Sequence, residues 1–241
     1  MLVHGVKIIK EGYWWVQAKD CINTNPKLNA AELHRSHNSS DFSGIPTLLK
    51  KTAKQNGIYL DIGAAYGMTS IPLHKHFKDI YCFEPMPVTY TCLTLNKEAY
   101  SNIHCFNYAV SDKHGTVDAF FNTTHAMVSC LADTDGTPLL KRNDFHGKNY
   151  TKLKVPTITL DDFFPTLHVD CIKIDVENHE LAVLQGAEQL LRRSKAVVIV
   201  ESFNDDINSK YDHPALVDEF MTHIGYQRKG HQGRNNMIYK N

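Results

Sequence analysis

The stretch Leu60-Asp61-Ile62-Gly63-Ala64-Ala65-Tyr66-Gly67-Met68-Thr69-Ser70 decides how the chain is read. It joins an apolar strand, Ile58 to Gly63, to a segment patterned as a helix over about Met68 to Lys78. Gly63 and Gly67 bracket Ala64, Ala65 and Tyr66 at that passage. Glycine allows a sharp turn and lets a partner come close to the main chain. The bend therefore serves either a ligand or tight packing. A helix starting there would also turn unpaired N–H groups and a partial positive charge toward it.

Moving outward, strand and helix patterns alternate. IYCFE (Ile80 to Glu84) precedes a helix from about Pro87 to Tyr100, and IHCFNYAV (Ile103 to Val110) is a third strand. Further on come VDCIKIDV (Val169 to Val176), a helix across Glu180 to Arg193, and AVVIVES (Ala196 to Ser202). Strands apolar on both faces, each followed by a helix, predict a doubly wound, mostly parallel sheet of the α/β class. The tail GYQRKGHQGRNNMIYKN predicts an antiparallel hairpin turning near Gly230 to Asn236. Thr116 to Thr159 interrupts the rhythm as an excursion of antiparallel strands and loop. Residues 1–55 read as a short strand or two around Tyr13 to Val16, a polar loop, and a helix near Ile45 to Gln55. With no linker and no repeat, residues 1–241 are expected to form a single domain: an extension over 1–55 and a core over 56–241 with an excursion at about 116–159.

The totals exclude several classes. The chain has 241 residues, 42% apolar and 22% charged, with no apolar run long enough for a bilayer. MLVHGVKIIKEG lacks the long apolar core of a signal peptide, so a cytoplasmic location is expected. Lys plus Arg equals Asp plus Glu at 26 each, which weighs against a dedicated nucleic-acid surface. The six cysteines form no CxxC pair and read as buried free thiols. His34/His37 and His74/His76 have ligand spacing, but nothing near them completes a metal site.

A pyrophosphate-binding bend calls for GxGxxG. This one is GAAYG, with Asp61 just ahead of it. A carboxylate repels phosphate and pairs with an ammonium, so the bend suits a nucleoside carrying an amino acid. Glu84 at the end of the second strand can accept from both hydroxyls of a ribose. In IKIDVE, Lys173, Asp175 and Glu177 share one face, which is costly in a buried strand unless they pair or reach the mouth of the sheet. A buried ion pair of Lys173 with one carboxylate is the structural alternative. Glu201, ending AVVIVES, would face the same mouth.

LDIGAAYG, CFEP, NYAVSDKHGTV, VPTITLDDF and above all IKIDVENHELAVLQGA resemble the FkbM-type S-adenosylmethionine-dependent methyltransferases, over about Ile58 to Ser202. The resemblance implies a Rossmann-like methyltransferase sheet with its seventh strand antiparallel. It implies S-adenosyl-L-methionine as cofactor, with Asp61, Gly63, Ala64 and Gly67 around the methionine end and Glu84 on the ribose. Asn107 and Ala109 would flank the adenine, and Asp175 would stand near the transferable methyl. Where the family usually carries glycine after the last Glu, this chain has Asn178, a residue that tolerates the left-handed conformation.

A hydroxyl nucleophile gains from a base that takes its proton. Asp175 is the first candidate for orientation, then Glu177 or Glu201, while His179 and His125 read as solvated. The expected acceptor is a hydroxyl on a small or sugar-containing molecule. A ribose methyltransferase using the cluster Lys141, Arg142, Lys148, Lys152 and Lys154, and a non-catalytic module keeping the fold, are the competing readings. The pair Trp14-Trp15 and the segment Ser36 to Gly44 either close over the cofactor or, for the tryptophans, pack a sheet edge.

Overall fold

The computed structural model describes residues 1–11, 14–18, 44–123, 129–132, 136–139, 150–201, 213–232 and 236–241. Its centre is a seven-stranded sheet built from β4 (Ile58–Ile62), β5 (Asp79–Phe83), β6 (Ile103–Phe106), β11 (Cys171–Ile174), β12 (Val197–Glu201), β13 (Gln227–Gln232) and β14 (Asn236–Lys240). The spatial order is β13-β14-β12-β11-β4-β5-β6. β14 runs antiparallel to both β12 and β13, so β13 points the same way as the parallel strands and β14 alone is reversed. β11 is buried along its whole length and β4 along all but its first residue, as expected for strands covered on two sides.

A second sheet, order β7-β10-β8-β9, is the excursion: β7 (Ala109–Val110), β8 (Gly115–Asn122), β9 (Cys130–Leu131) and β10 (Tyr150–Ile158). β8 and β10 pair antiparallel from Gly115↔Thr157 to Asn122↔Tyr150. A third sheet near the N-terminus holds β1 (Leu2–Val3), β2 (Val6–Glu11) and β3 (Trp14–Gln17). Trp14 and Trp15 are half-buried and pack into the apolar cluster that also takes in Tyr66, Met86, Ala119 and Phe121. That is the packing role, with Trp14 reaching the cluster beneath the central sheet as well.

Four sequence expectations change. The segment Met68 to Lys78 is a short 3₁₀ turn, Ile71–Leu73, because Pro72 cannot donate to the carbonyl a turn earlier and would clash with it. The strand expected over Ile103 to Val110 splits at Asn107-Tyr108 into β6 and β7, which belong to different sheets. The helix over Glu180 to Arg193 is two pieces, α4 (Glu180–Gln185) and α5 (Glu188–Ser194). A side chain at Gly186 would overlap the Ser111 carbonyl oxygen, and the helix breaks there. Helix α2 (Pro87–Asn96) ends earlier than expected; α1 (Ile45–Thr52), α3 (Leu160–Phe163) and α6 (His213–His223) complete the helices among the described residues. No helix among them is long and apolar enough to cross a membrane.

Candidate active site

The carboxyl ends of β4, β5, β11 and β12 open on one side of the central sheet. At β4 the chain turns with Gly63 at φ 78°, Ala65 at φ 48° and Gly67 at φ 85°. The Gly63 and Ala64 N–H groups both donate to the Phe83 carbonyl at 3.0 Å, locking the bend to β5. A side chain at Gly63 would overlap the Asp175 carbonyl oxygen, and one at Gly67 would meet Leu93 Cδ1 at 2.8 Å. Tight packing and left-handed backbone therefore account for both glycines. Ala64 is buried beside them.

Glu84 is a clasp. Its Oε2 accepts from the Ala65 N–H at 3.0 Å and its Oε1 from the Met86 N–H at 2.9 Å, tying the bend to the loop after β5. Burial pushes its carboxyl up to about 7, against those two hydrogen bonds. Each carboxylate oxygen keeps a second lone pair for another donor. Asn107 braces the same loop, its Nδ2 donating to the carbonyls of Glu84 at 2.8 Å and Pro85 at 2.9 Å. Ala109 lies instead on β7, paired with Thr157 and buried in the cluster around Tyr66.

The second group is charged. Asp61 and Lys173 are register neighbours on β4 and β11. Lys173 Nζ donates to Asp175 Oδ2 at 2.9 Å and stands 3.8 Å from Asp61 Oδ1. Asp61 is fully buried; its Oδ2 accepts from Ser70 Oγ at 2.5 Å, and the Lys173 ammonium and the Tyr59 hydroxyl also favour its charged form. Burial raises the Asp61 carboxyl. Burial also opposes the charge on Lys173, yet Asp175 and Asp61 hold its ammonium above its ordinary range.

Asp175 keeps 30% side-chain exposure against 7% for Lys173, so it is the member that reaches the mouth. Burial works against its charge, but Lys173 and a hydrogen bond with Glu201 keep it below the usual carboxylate range. Glu201 takes the opposite course. Burial, then the hydrogen bond and negative charge of Asp175, push it up to about 9. Burial and the Asp175 charge thus bias Glu201, rather than Asp175, toward the protonated form. The structural alternative of a Lys173 ion pair is thus realised, and it leaves Asp175 partly open.

Strand β11 ends at Ile174, so Glu177 does not extend its face; Glu177 (φ 58°) and Asn178 (φ 74°) form a left-handed turn instead. Asn178 does adopt the conformation that suits asparagine. Glu180, which the sequence reading passed over, serves this turn: its Oε1 accepts from the N–H groups of Val176 at 3.3 Å and Asn178 at 3.2 Å. Burial raises it to about 7. Its signal was an acid in the first turn of a helix, where free N–H groups need acceptors. His179 is half-buried, with Nε2 3.0 Å from Ser111 Oγ.

Lys152 and Lys154 both pair with Asp118, at 2.8 and 3.1 Å. Lys141, Arg142, Lys148, His125, His34 and His37 lie outside the described residues, as do Ser36 to Ser43 and Cys21. Among the described residues no three His, Cys, Asp or Glu side chains converge as a metal site.

The strand order, the single reversed strand and the carboxylate-lined mouth define a Rossmann-like methyltransferase fold. The FkbM methyltransferase domain matches residues 61–228, and the chain belongs to that family. It is 25% identical over 156 residues to the hexuronic acid methyltransferase AglP of Haloferax volcanii, a match covering 63% of this chain and 59% of that protein. It therefore spans about three-fifths of the length of this curated relative. The crystal structure of methyltransferase FkbM from Methylobacillus flagellatus KT superposes with a TM-score of 0.52 at 15% identity, covering 77% of this chain and 44% of that one.

Proposed function

We propose that the chain is an S-adenosylmethionine-dependent methyltransferase that methylates a hydroxyl oxygen on a small, sugar-containing acceptor. The observation that carries this reading is the Lys173–Asp175 ion pair at the carboxyl end of β11, with Asp61 beneath it and Asp175 left 30% exposed. The relative named for hexuronic acid supports a sugar acceptor.

The residues present fit the cofactor. Asp61, Glu84 and Asp175 stand around the bend, and among the described residues Lys173 is the cation paired with Asp61 and Asp175. Such a surround favours a cationic amino-acid nucleoside and disfavours a pyrophosphate. Asp61, Gly63, Ala64 and Gly67 would shape the methionine end, Asp61 acting from beneath through Lys173 and Ser70. Glu84 would accept from the ribose with its remaining lone pairs, and Asn107 and Ala109 would set the adenine wall. When bound, the cofactor supplies an electrophilic methyl group on a cationic sulfur.

The chain's own residues do the rest. Asp175 accepts the acceptor's hydroxyl proton as a hydrogen bond and aims its oxygen, while Lys173 holds Asp175 in place. As the new C–O bond forms, the hydroxyl proton passes to Asp175, whose basicity the neighbouring protonated Glu201 damps, so that transfer comes late. Glu177, on the left-handed turn, lines the acceptor side. Of the cluster behind the ribose reading, Lys152 and Lys154 pair with Asp118, and Lys141, Arg142 and Lys148 lie outside the described residues.

The test is calorimetry with S-adenosylmethionine and its demethylated product, followed by methyl-transfer assays on uronic-acid glycosides. Binding of both is expected. Asp175→Asn should keep cofactor affinity within about tenfold while turnover falls by about a hundredfold or more, the mark of lost transition-state support. Heat from neither ligand would make the chain a non-catalytic module; full turnover in the variant would remove Asp175 from the chemistry.

A further inference from the structure

Cys82 and Cys105 are direct register partners on the adjacent parallel strands β5 and β6. Register partners on neighbouring strands turn their side chains to one face, with their backbones about 4.8 Å apart. That separation falls inside the range of about 4.4–6.8 Å that a disulfide spans between Cα atoms. Both thiols are free. Their settings differ: Cys82 is fully buried, whereas Cys105 is only half-buried, on the edge strand of the central sheet.

We propose that Cys105 and Cys82 form a peroxide-sensitive dithiol, Cys105 being oxidised first and Cys82 closing a cross-strand disulfide. A reactive thiol needs thiolate character, access and a resolving partner. When its proton turns from Ser70 toward Cys105, the Cys82 thiol favours the Cys105 thiolate; burial opposes it less strongly, the Lys97 charge adds to the effect and the Asp61 charge opposes it. Burial holds the Cys82 thiol protonated, which suits a resolving group rather than a first target.

The steps balance with a hydroperoxide as oxidant. The Cys105 thiolate attacks one peroxide oxygen, the O–O bond breaks, and the other oxygen leaves as alkoxide or hydroxide and takes up a proton. Cys105 is now a sulfenic acid. Cys82 sulfur then attacks the Cys105 sulfur, the S–O bond breaks, and that hydroxyl leaves as water with the Cys82 proton. Two thiols lose two hydrogens, and the peroxide gains two electrons.

The disulfide reaches the bend through one atom. Cys82 Sγ donates to Ser70 Oγ at 3.2 Å, and Ser70 Oγ donates to Asp61 Oδ2 at 2.5 Å. Drawing Cys82 sulfur toward β6 removes the donor from Ser70 and loosens the link between Ser70 and Asp61. The bend would then open more readily, whatever ligand it holds.

The full chain, reduced and then treated with a small excess of hydrogen peroxide, should lose the mass of two hydrogens. Peptide mapping without reductant should join the Cys82 and Cys105 peptides. Cys82→Ser should leave Cys105 as a sulfenic acid that dimedone captures, and Cys105→Ser should prevent the linkage. Hydrogen exchange over residues 63–70 should quicken several-fold on oxidation, and not in Cys105→Ser. Linkage through other cysteines, or Cys105 untouched while another thiol reacts, would overturn the dithiol. A correct disulfide with unchanged exchange would overturn its connection to the bend. None of these readouts depends on methyl transfer or on cofactor binding.

Discussion

At Gly63 two independent constraints meet: a φ of 78° and a carbonyl, that of Asp175, where a side chain would begin. Left-handed backbone alone costs a non-glycine residue about 1–3 kcal/mol. Gly63→Ala should therefore destabilise the protein by about 3 kcal/mol or more by urea unfolding, since the β11 backbone must also move. Glu201 poses a different problem, one of protonation. Its value is raised from 4.5 to about 9, so below pH 4.5 folded and unfolded chains both carry the proton. Above that the unfolded chain releases it while the fold retains it, and stability is lost as pH rises toward 9. Glu201→Gln keeps a donor for Asp175 without a titrating proton. Its melting temperature should exceed that of the wild type at pH 8 by at least about 2–4 °C, the shift that each kcal/mol brings in a chain this size. At pH 4 the two should nearly coincide.

Between elements, one side chain does the joining. Asn96, the last residue of α2, accepts from the Trp15 N–H at 2.6 Å and donates to the Trp15 carbonyl at 3.1 Å. The same Nδ2 donates to the Tyr66 carbonyl at 3.0 Å, and the Tyr66 hydroxyl accepts from the Gln17 N–H at 3.3 Å. The N-terminal sheet, α2 and the glycine bend thus share a single polar junction. Asn96→Ala should cost about 1–3 kcal/mol, because it removes the side chain that pairs with the Trp15 N–H and carbonyl and the Tyr66 carbonyl. Faster hydrogen exchange confined at first to β3 and the bend, with β11 and β12 still protected, would verify the junction. Uniform acceleration across the central sheet would count against it.

For the molecule as a whole, the three sheets are bound by shared apolar contacts. Ile8 and Val16 from the N-terminal sheet, Tyr66 and Met86 from the bend side, and Phe121 and Val155 from the excursion occupy one cluster. Trp14 extends from it into the core under β4 and β5. We propose that these parts form a single domain, so heat or urea should unfold the chain in one cooperative transition, with calorimetric and van't Hoff enthalpies in agreement. A separate early transition assigned to β8–β10 or to the N-terminal sheet would refute this.

What the sequence determined by itself is the alternation of strands and helices, the reversed C-terminal strand and the acids at strand ends. Those features follow from local periodicity and from residue types that burial does not tolerate without a reason, as in IKIDVE. It could not determine what each acid touches. That Glu84 clasps the bend through the Ala65 N–H, that Asp61 lies beneath Lys173 while Asp175 stays partly open, and that Glu201 is pushed toward its protonated form all depend on neighbours from other strands. The same holds for Cys82 beside Cys105 and for Gly186 against Ser111, pairs set by strand register and chain crossing. Burial and partner charge decide protonation, and both are properties of packed strands, which only the tertiary structure brings together.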